Sequence, residues 1–160
     1  MFERFVKDAR RVVIHASQVE AQALGSATIE AEHLLLALAA DETTPAGRLL
    51  GENGLDHGGV CAALERETER SLAAVGVGLG EYVLPERPAA PRRSPRFAAL
   101  SKRALERAVK VAAARRDGYV GAAHLLIGIL RADLGTVPRA LAAADVDRVA
   151  LLTRAERLLD

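Results

Sequence analysis

The sequence predicts an all-α protein of about eight helices, divided into two units of four helices. Half of the 160 residues are hydrophobic, but only 3% are aromatic and none is Trp. Ala, Leu and Val must therefore fill the core, which favours closely packed helices over an aromatic-rich sheet. No segment alternates with period two, so we expect no sheet. The segments "EHLLLALAAD" (32–41) and "AHLLIGILRAD" (123–133) have nearly the same sequence.

The two strings belong to an internal repeat. From Leu24 onward the copies align at an offset of 91 residues. Upstream the offset is 92, which places "FVKDARRVV" from Phe5 over "FAALSKRAL" from Phe97. A repeat of roughly 65 residues is too long for a solenoid unit and suits a small helical half-domain. The expected single compact domain comprises a first repeat (1–74), a Gly/Pro-rich linker (75–95) and a second repeat (96–160).

Apolar residues follow helical spacing at the start of each repeat. The first stripe consists of Phe5, Ala9, Val12, Val13, Ala16 and Val19, and the second of Leu100, Ala104, Leu105, Ala108, Val111 and Ala112. Such stripes are typical of amphipathic helices. Gly25 and Gly118 interrupt the pattern before second helices, which we expect to start near Ala31 and Ala122.

Polar residues predict where the later helices begin. Thr44 followed by Pro45 is typical of an N-cap and first helical position, for the third helix. Asp56 and Asp147 predict caps for the fourth helices. The stretch "GVGLGEYVLPERPAAPRRSPR" (76–96) is rich in Gly and Pro, which indicates an extended, mobile linker. Two small halves with few aromatic residues need each other's surface to bury enough apolar area.

The composition disfavours a membrane span, a secretory leader and a disulfide framework. Apolar stretches such as "HLLLALAA" (33–40) fall short of the ~20 residues needed to cross a bilayer. The opening "MFERFVKDARRVV" has charges where a signal peptide needs apolar residues. The single cysteine, Cys61, cannot form an internal disulfide and fits a reducing, cytoplasmic location.

Charge is unevenly distributed, although the net charge is only +1. Residues 1–91 hold 8 Lys/Arg against 14 Asp/Glu, whereas residues 92–160 hold 14 against 7. The excess is densest at 92–116, where nine basic residues accompany only Glu106. One interpretation of this asymmetry is an ordinary solvated face. The alternative is a function, in which the 92–116 face binds nucleic acid or an acidic protein. Aromatic residues that could stack on bases are nearly absent, which disfavours nucleic acid.

Three segments resemble a known family. The strings "FERFVKDARRVV", "IEAEHLLLAL" and "VGAAHLLIGIL" are similar to the Clp N-terminal repeat (Clp R) domain, most closely that of ClpC-type unfoldases from actinobacteria. The resemblance implies that the two four-helix repeats pack as a pseudo-twofold pair. The chain has no Gly-Lys dipeptide, so it contains no phosphate loop for ATP and no ATPase module. It is then either a free-standing N-domain protein or the amino-terminal piece of a longer ATPase.

The resemblance also implies a function. We expect a non-catalytic peptide- or protein-binding module of the Clp protease system, acting as an adaptor, a client-receiving domain or a protein that sequesters peptide antibiotics. The implied partners are client proteins or peptides, Clp unfoldase or protease components, and macrocyclic peptide antibiotics. We expect a monomer without cofactor, membrane partner or enzymatic activity.

In ClpC relatives a groove between the repeats receives these ligands. The matching residues here are Phe2, Arg10, Val13, Ile14, Phe97, Lys102 and Glu106. Phe2 and Phe97 would be exposed apolar anchors, and the charged side chains would orient the ligand. Alternatively, Val13 belongs to the apolar core stripe, and Lys102 and Glu106 form an ordinary surface pair one turn apart.

A second mode in the family, recognition of phosphoarginine, is expected to be lost. That mode uses the glutamate before each repeated histidine and a threonine after each phenylalanine. Glu32 matches one glutamate, whereas Ala123 stands at the other, and Val6 and Ala98 stand at the threonine positions. Glu32 is then a residual site of this kind, or an acid that favours the helix N-terminus.

The histidines at matching positions, His33 and His124, raise the question of a metal site. Each one begins an apolar helix of a separate repeat, and no cysteine or carboxylate cluster has ligand spacing with them. We therefore expect buried histidines that bond to backbone near the helix start, and no metal. No Ser-His-Asp or Cys-His arrangement can be argued from the order or spacing of residues.

Overall fold

The structure, a computed structural model, describes residues 2–77 and 94–160, with the backbone alone for Phe2. Within these ranges the chain forms eight helices after a short 3₁₀ turn, Phe2–Arg4. Helix α1 spans 7–23 as an α-helical Lys7–Arg11, a π-helical Val12–Ala16 and an α-helical Ser17–Ala23. The other helices are α2 (Ala31–Ala39), α3 (Pro45–Glu52), α4 (His57–Ala74), α5 (Ala99–Arg115), α6 (Ala122–Leu130), α7 (Thr136–Ala143) and α8 (Arg148–Arg157). Most of the predicted linker, and with it the expected mobility, lies outside the described residues.

The second half repeats the first half helix by helix. Helices α2 and α6 have 9 residues each, and α3 and α7 have 8 each. Helices α6, α7 and α8 begin 91 residues after their counterparts, and α5 begins 92 residues after α1. The last helices differ in length, since α4 has 18 residues and α8 has 10. The prediction of an all-α fold built from two four-helix repeats is confirmed.

Local signals placed the helix starts correctly. The Thr44 side chain accepts a hydrogen bond from the backbone of α3, with Pro45 as the first helical residue. Asp56 and Asp147 cap α4 and α8 in the same way. Gly25 has a φ of 66°, a left-handed conformation that glycine adopts at little cost at the end of α1.

The expectation of no sheet is wrong in one detail. Strand β1 (Thr28–Ile29) pairs in parallel with strand β2 (Arg96–Phe97), and Phe5 forms an isolated parallel bridge with Val120. Strands of two residues are too short to show an alternating pattern, and each partner is distant in sequence. Each pairing joins the segment before the first helix of one repeat to the segment before the second helix of the other.

One apolar core runs through both repeats. Its largest fully buried side chains are all leucine or isoleucine. Helices α2 and α6 lie at its centre and pack against each other, and α4 of the first repeat packs along α7 of the second. Each repeat therefore completes the core of the other, which small halves require. No helix in the described part of the chain is long and apolar enough to span a membrane.

Candidate peptide-binding surfaces

A groove of about 400 Å³ lies between the two repeats; we call it the N-terminal groove. Its lining residues are Glu3, Arg4, Glu106, Val109 and Lys110. The 3₁₀ turn of the first repeat forms one side, and α5 of the second repeat forms the other. The backbone of Val120 donates to Arg4 O (2.8 Å) and accepts from Val6 N (3.1 Å). This pairing fixes the turn against the second repeat, so both repeats are needed to form the groove.

The polar members of the predicted set lie near this groove or on exposed surface. Glu106 lines the N-terminal groove, and Lys102 is exposed one turn earlier on α5. Arg10 lines a second depression, of about 430 Å³, together with Lys7 and other residues of α1. The side chain of Phe2 lies outside the described residues, so its expected approach to Phe97 stays a prediction.

The apolar members of the set are more buried than expected. Val13 is 0% exposed and belongs to the core, as the alternative interpretation had it. Ile14 and Phe97 are partly buried and pack against the core. Phe97 is not the fully exposed anchor that we expected, because the pairing of β2 with β1 holds this segment against the first repeat.

The two repeated histidines are helix caps. His33 Nδ1 accepts a hydrogen bond from the backbone of Glu30 (2.8 Å), and His124 Nδ1 accepts one from Gly121 (3.0 Å). His124 Nε2 also lies 2.9 Å from a carboxylate oxygen of Asp117. Burial lowers the pKa of His33, against a smaller opposing effect of Glu30. Both side chains are buried, so the interpretation as structural histidines agrees with the geometry. In residues 2–77 and 94–160 no group of three His, Cys, Asp or Glu could hold a metal ion.

Part of the basic 92–116 face is used within the chain. Arg107 Nε donates to Gly128 O at 2.7 Å, and burial is the main cause that lowers the pKa of this guanidinium. Arg115 contacts Asp160 at 3.3 Å. The exposed cations of the face on α5 and just after it are Lys102, Arg103, Lys110, Arg115 and Arg116.

A further groove, of about 420 Å³, was missed by the sequence reasoning; we call it the acidic groove. Its lining residues are Leu24, Glu32, Leu36, Cys61, Leu64, Glu65, Thr68, Glu69 and Thr136. They come from the end of α1, from α2, from α4 and from the first residue of α7. The signal in the sequence was the recurrence of Cys61, Leu64, Glu65, Thr68 and Glu69 at three- and four-residue steps, which places them on one face of α4.

Two neighbouring glutamates near this groove have opposite electrostatic environments. Burial raises the pKa of Glu32, with a smaller opposing effect of its own backbone amide and additional raising effects of Glu30 and Glu67. Glu67 accepts from Ser71 Oγ (2.6 Å) and from Arg139 Nε (2.9 Å). The hydrogen bond from Ser71 is the largest cause that lowers the pKa of Glu67, and Arg139 adds to it. Arg139 therefore joins the second repeat to the first.

The fold also brings together a cysteine, a histidine and a glutamate. Cys61 Sγ lies 3.8 Å from His57 Nδ1, and His57 Nε2 lies 2.9 Å from Glu20 Oε1. Burial raises the pKa of the Cys61 thiol, and the charges of Glu20 and Glu65 raise it further. A nucleophilic cysteine needs the opposite shift, which stabilises the thiolate. The geometry therefore does not provide an activated cysteine.

The fold defines the structural class of the protein, which consists of two four-helix repeats with grooves on its surface. The family described as "Clp repeat (R) N-terminal domain" matches residues 5–87 and 96–160. The chain belongs to this family, which is the non-catalytic N-terminal domain of Clp-type chaperones. The expectation that the chain is not an enzyme is confirmed by this membership.

Known proteins with similar sequences are much longer than this chain. The "ATP-dependent Clp protease ATP-binding subunit ClpA homolog" of Guillardia theta is 31% identical over 159 residues, covering 99% of this chain and 17% of that protein. The chloroplastic chaperone protein ClpC of Pisum sativum is also 31% identical over 159 residues, with 99% and 15% covered. The chain thus spans about one sixth of the length of these relatives. The expected closeness to actinobacterial ClpC-type proteins stays a prediction.

Solved structures show the same architecture. The N-terminal domain of the chaperone ClpD from Arabidopsis thaliana has a TM-score of 0.70 at 25% identity, with 99% of this chain and 96% of that chain covered. The Hsp104 N-terminal domain from Candida albicans has a TM-score of 0.68 at 18% identity, with 98% and 91% covered. The second likeness concerns the fold alone.

Proposed function

We propose that the chain is a non-catalytic peptide- or protein-binding module of the Clp protease system. It acts as a client-receiving domain, an adaptor or a protein that sequesters peptide antibiotics, as a cytoplasmic monomer. Its ligands are client proteins or peptides, Clp components and macrocyclic peptides. The observation that supports this proposal is the N-terminal groove, because residues of both repeats form it and Glu106 of the expected set lines it.

The groove offers polar groups of both signs around an apolar patch. Glu3 and Glu106 are acceptors, Arg4 and Lys110 are donors, and Val109 is apolar. This mixture suits a peptide, whose backbone presents donors and acceptors and whose side chains need apolar contact. The proposed contact residues are Phe2, Arg10, Ile14, Phe97, Lys102 and Glu106, whereas Val13 supports the site from the core.

Calorimetric titration with an apolar macrocyclic peptide tests the proposal. Phe2→Ala and Phe97→Ala should each weaken binding by about 1–3 kcal/mol, the range for losing an interface anchor. Lys102→Ala should cost less, because an exposed charge mainly orients the ligand. Leu134→Ala is the matched control, since Leu134 is 81% exposed and lies in the loop before α7. Unchanged affinity in both phenylalanine variants would contradict the proposed site.

Phosphoarginine is not a proposed ligand. Glu32 is the single matching group, and the other three positions hold Val6, Ala98 and Ala123. A phosphate also needs cations or amide donors, and the acidic groove beside Glu32 presents carboxylates. Free phosphoarginine should therefore leave the melting temperature of the chain unchanged, whereas a rise would restore this mode of recognition.

Binding of nucleic acid or an acidic protein through the 92–116 face is the second candidate. The exposed Lys102, Arg103 and Lys110 on α5 favour it, whereas the use of Arg107 within the chain weakens it. Counterion release predicts weak binding to a DNA duplex that falls steeply with salt. Tight, sequence-discriminating binding at physiological salt would place this candidate first.

A further inference from the structure

A groove of about 300 Å³ lies between α3 of the first repeat and the end of α8 of the second repeat; we call it the basic groove. Its lining residues are Pro45, Arg48, Leu49, Glu52, Arg154, Arg157 and Leu158. Arg154 is engaged within the chain, because it contacts Glu52 at 2.8 Å and donates to Asn53 Oδ1 at 3.0 Å. The groove therefore contains three arginines and one carboxylate, and that carboxylate is already paired.

The other two arginines of the basic groove, Arg48 and Arg157, are exposed. Among the ion pairs of the described residues, none involves either guanidinium. Arg48 Nη1 donates to Thr43 O at 3.2 Å, and this oxygen is a neutral acceptor. A guanidinium has several N–H donors in a fixed planar arrangement, so Arg48 can still bind a carboxylate. The groove thus has uncompensated positive charge.

The internal repeat indicates what an arginine at this position binds. Arg48 corresponds to Arg139, which lies 91 residues later on α7. Arg139 Nε donates to Glu67 Oε1 at 2.9 Å, and Glu67 belongs to α4. The counterpart of Glu67 in the second repeat is Leu158, which lines the basic groove together with Arg48. The basic groove therefore keeps the arginine of this pair and lacks its carboxylate.

We propose that the basic groove binds a segment of a partner protein in which a glutamate is flanked by aliphatic residues. The carboxylate of this glutamate bonds to Arg48, and Arg157 adds positive charge beside it. The aliphatic side chains cover Pro45, which is exposed, and Leu158, which is 37% exposed. Hydrogen bonds between a guanidinium and a carboxylate are charge-assisted, and covering the neighbouring apolar surface adds to the affinity.

The residues of the groove favour a protein segment over a phosphate group. Pro45 and Leu158 offer apolar surface, which a phosphate cannot cover, and Glu52 repels a doubly charged group more than a singly charged one. The site shares no lining residue with the N-terminal groove and lies outside the 92–116 face. The inference therefore goes beyond the proposed function and does not depend on it.

Fluorescence anisotropy with the full 160-residue chain at low ionic strength tests the proposal. The probe is a peptide of sequence SGLELGS with an uncharged fluorophore and an amidated C-terminus, so its glutamate carries the single carboxylate. Competition by the unlabelled peptide is compared with that of a peptide with glutamine for glutamate, a peptide with serine for both leucines, and inorganic phosphate. We expect the unaltered peptide to bind and the other three to compete about threefold more weakly or worse, because each lacks the carboxylate or the apolar contacts. Absence of binding, or equal competition by any of the three, would overturn the proposal.

Variants of the chain locate the binding site. Arg48→Gln and Arg157→Gln should each weaken binding of the probe about threefold, the effect of losing one exposed ion pair. Arg66→Gln is the matched control, because Arg66 is the repeat counterpart of Arg157 and is exposed on α4. Arg103→Gln is the control for the 92–116 face. If Arg48→Gln left binding unchanged, or if either control weakened it as much, the basic groove would be rejected while the proposed function of the N-terminal groove would stand.

Leu158→Glu provides a second test, because it restores a carboxylate at the position that corresponds to Glu67. This carboxylate should pair with Arg48 and exclude the glutamate of the peptide, so binding of the probe should weaken about fivefold or more. Leu158→Gln is the control, since it removes the same apolar side chain without adding charge, and it should weaken binding less. Equal affinities of the two variants would show that Arg48 does not bind the carboxylate of the peptide and would overturn the proposal.

Discussion

Phe97 of the second repeat pairs in parallel with Ile29 of the first. The symmetric relationship holds at the other end of the fold, where Phe5 of the first repeat pairs with Val120 of the second. Phe5 and Phe97 occupy matching positions of the two repeats, and so do Ile29 and Val120. We call the residues just before the first helix of each repeat its entry segment. The entry segment of each repeat therefore pairs with the other repeat and not with its own.

This exchange predicts that neither repeat folds alone. Residues 1–77 and residues 94–160, expressed separately, should each show little cooperative unfolding, because each lacks the entry segment and half of the core that the other supplies. Mixing the two pieces should restore helical circular dichroism and a cooperative thermal transition. A cooperative transition in either piece alone would show that the repeats are independent.

Ser101 is predicted to stabilise the pairing of Ile29 with Phe97, which is one of the two pairings between the repeats. Its hydroxyl donates to Ile29 O at 2.6 Å, and the side chain is 0% exposed. The first repeat has Ala9 at the matching position. Ser101→Ala should therefore fit sterically and cost about 1 kcal/mol, the net value of one hydrogen bond. Chemical denaturation measures this difference, and Thr153→Ala, which removes an exposed hydroxyl from α8, is the control.

Gly128 is predicted to be required for the contact between α5 and α6. A Cβ atom at this position would lie 2.4 Å from Ala104 O and 2.9 Å from Ala108 N. Gly128→Ala should therefore destabilise the fold by about 1–3 kcal/mol through overpacking. Gly51→Ala is the control, because a Cβ there meets nothing within 4 Å and should stabilise α3 by about 0.5–1 kcal/mol. Thermal unfolding of both variants tests whether the two substitutions change the stability in opposite directions.

Glu67 is predicted to make the stability of the fold depend on pH in the acidic range. Its pKa is lowered in the folded state, so its contribution is present above the unfolded-state pKa of about 4.3 and is lost as the pH falls through the lower folded-state pKa. Glu67→Gln should cost about 1–2 kcal/mol at pH 7, and less as the pH approaches that folded-state value. Unfolding free energies measured from pH 7 to pH 2.5 test this. A constant difference would contradict it.

Glu32 is predicted to have the opposite effect. Its pKa is raised by burial, so the folded state holds the proton more tightly and stability falls as the pH rises from the unfolded-state pKa through the folded-state pKa. Glu32→Gln removes this cost and should raise the melting temperature at pH 7 by about 2 °C. The advantage should disappear below pH ~3.5, where both forms are neutral. A lower melting temperature at pH 7 would contradict the prediction.

The sequence by itself determined the local structure and the repeat. Helix starts at Ala31, Pro45 and Ala122 follow from caps, glycine breaks and apolar spacing, all of which act within a few residues. The capping role of the repeated histidines is equally local, since each one bonds to the backbone three residues before it. Such features depend on neighbours in sequence, so one chain is enough to predict them.

Tertiary structure decided which residues meet across the repeats. Phe97 became half-buried because its segment pairs with the first repeat, and two-residue pairings have no periodic signature. The burial of Val13, in contrast, agrees with the apolar stripe that the sequence predicts for the first helix. The acidic groove was also undetermined, since Glu32 and Glu65 come from helices whose packing no local pattern specifies. The contact of Glu67 with Arg139 spans 72 residues for the same reason. Contacts of this kind depend on how the two repeats pack against each other, whereas apolar spacing predicts only which face of each helix will be buried.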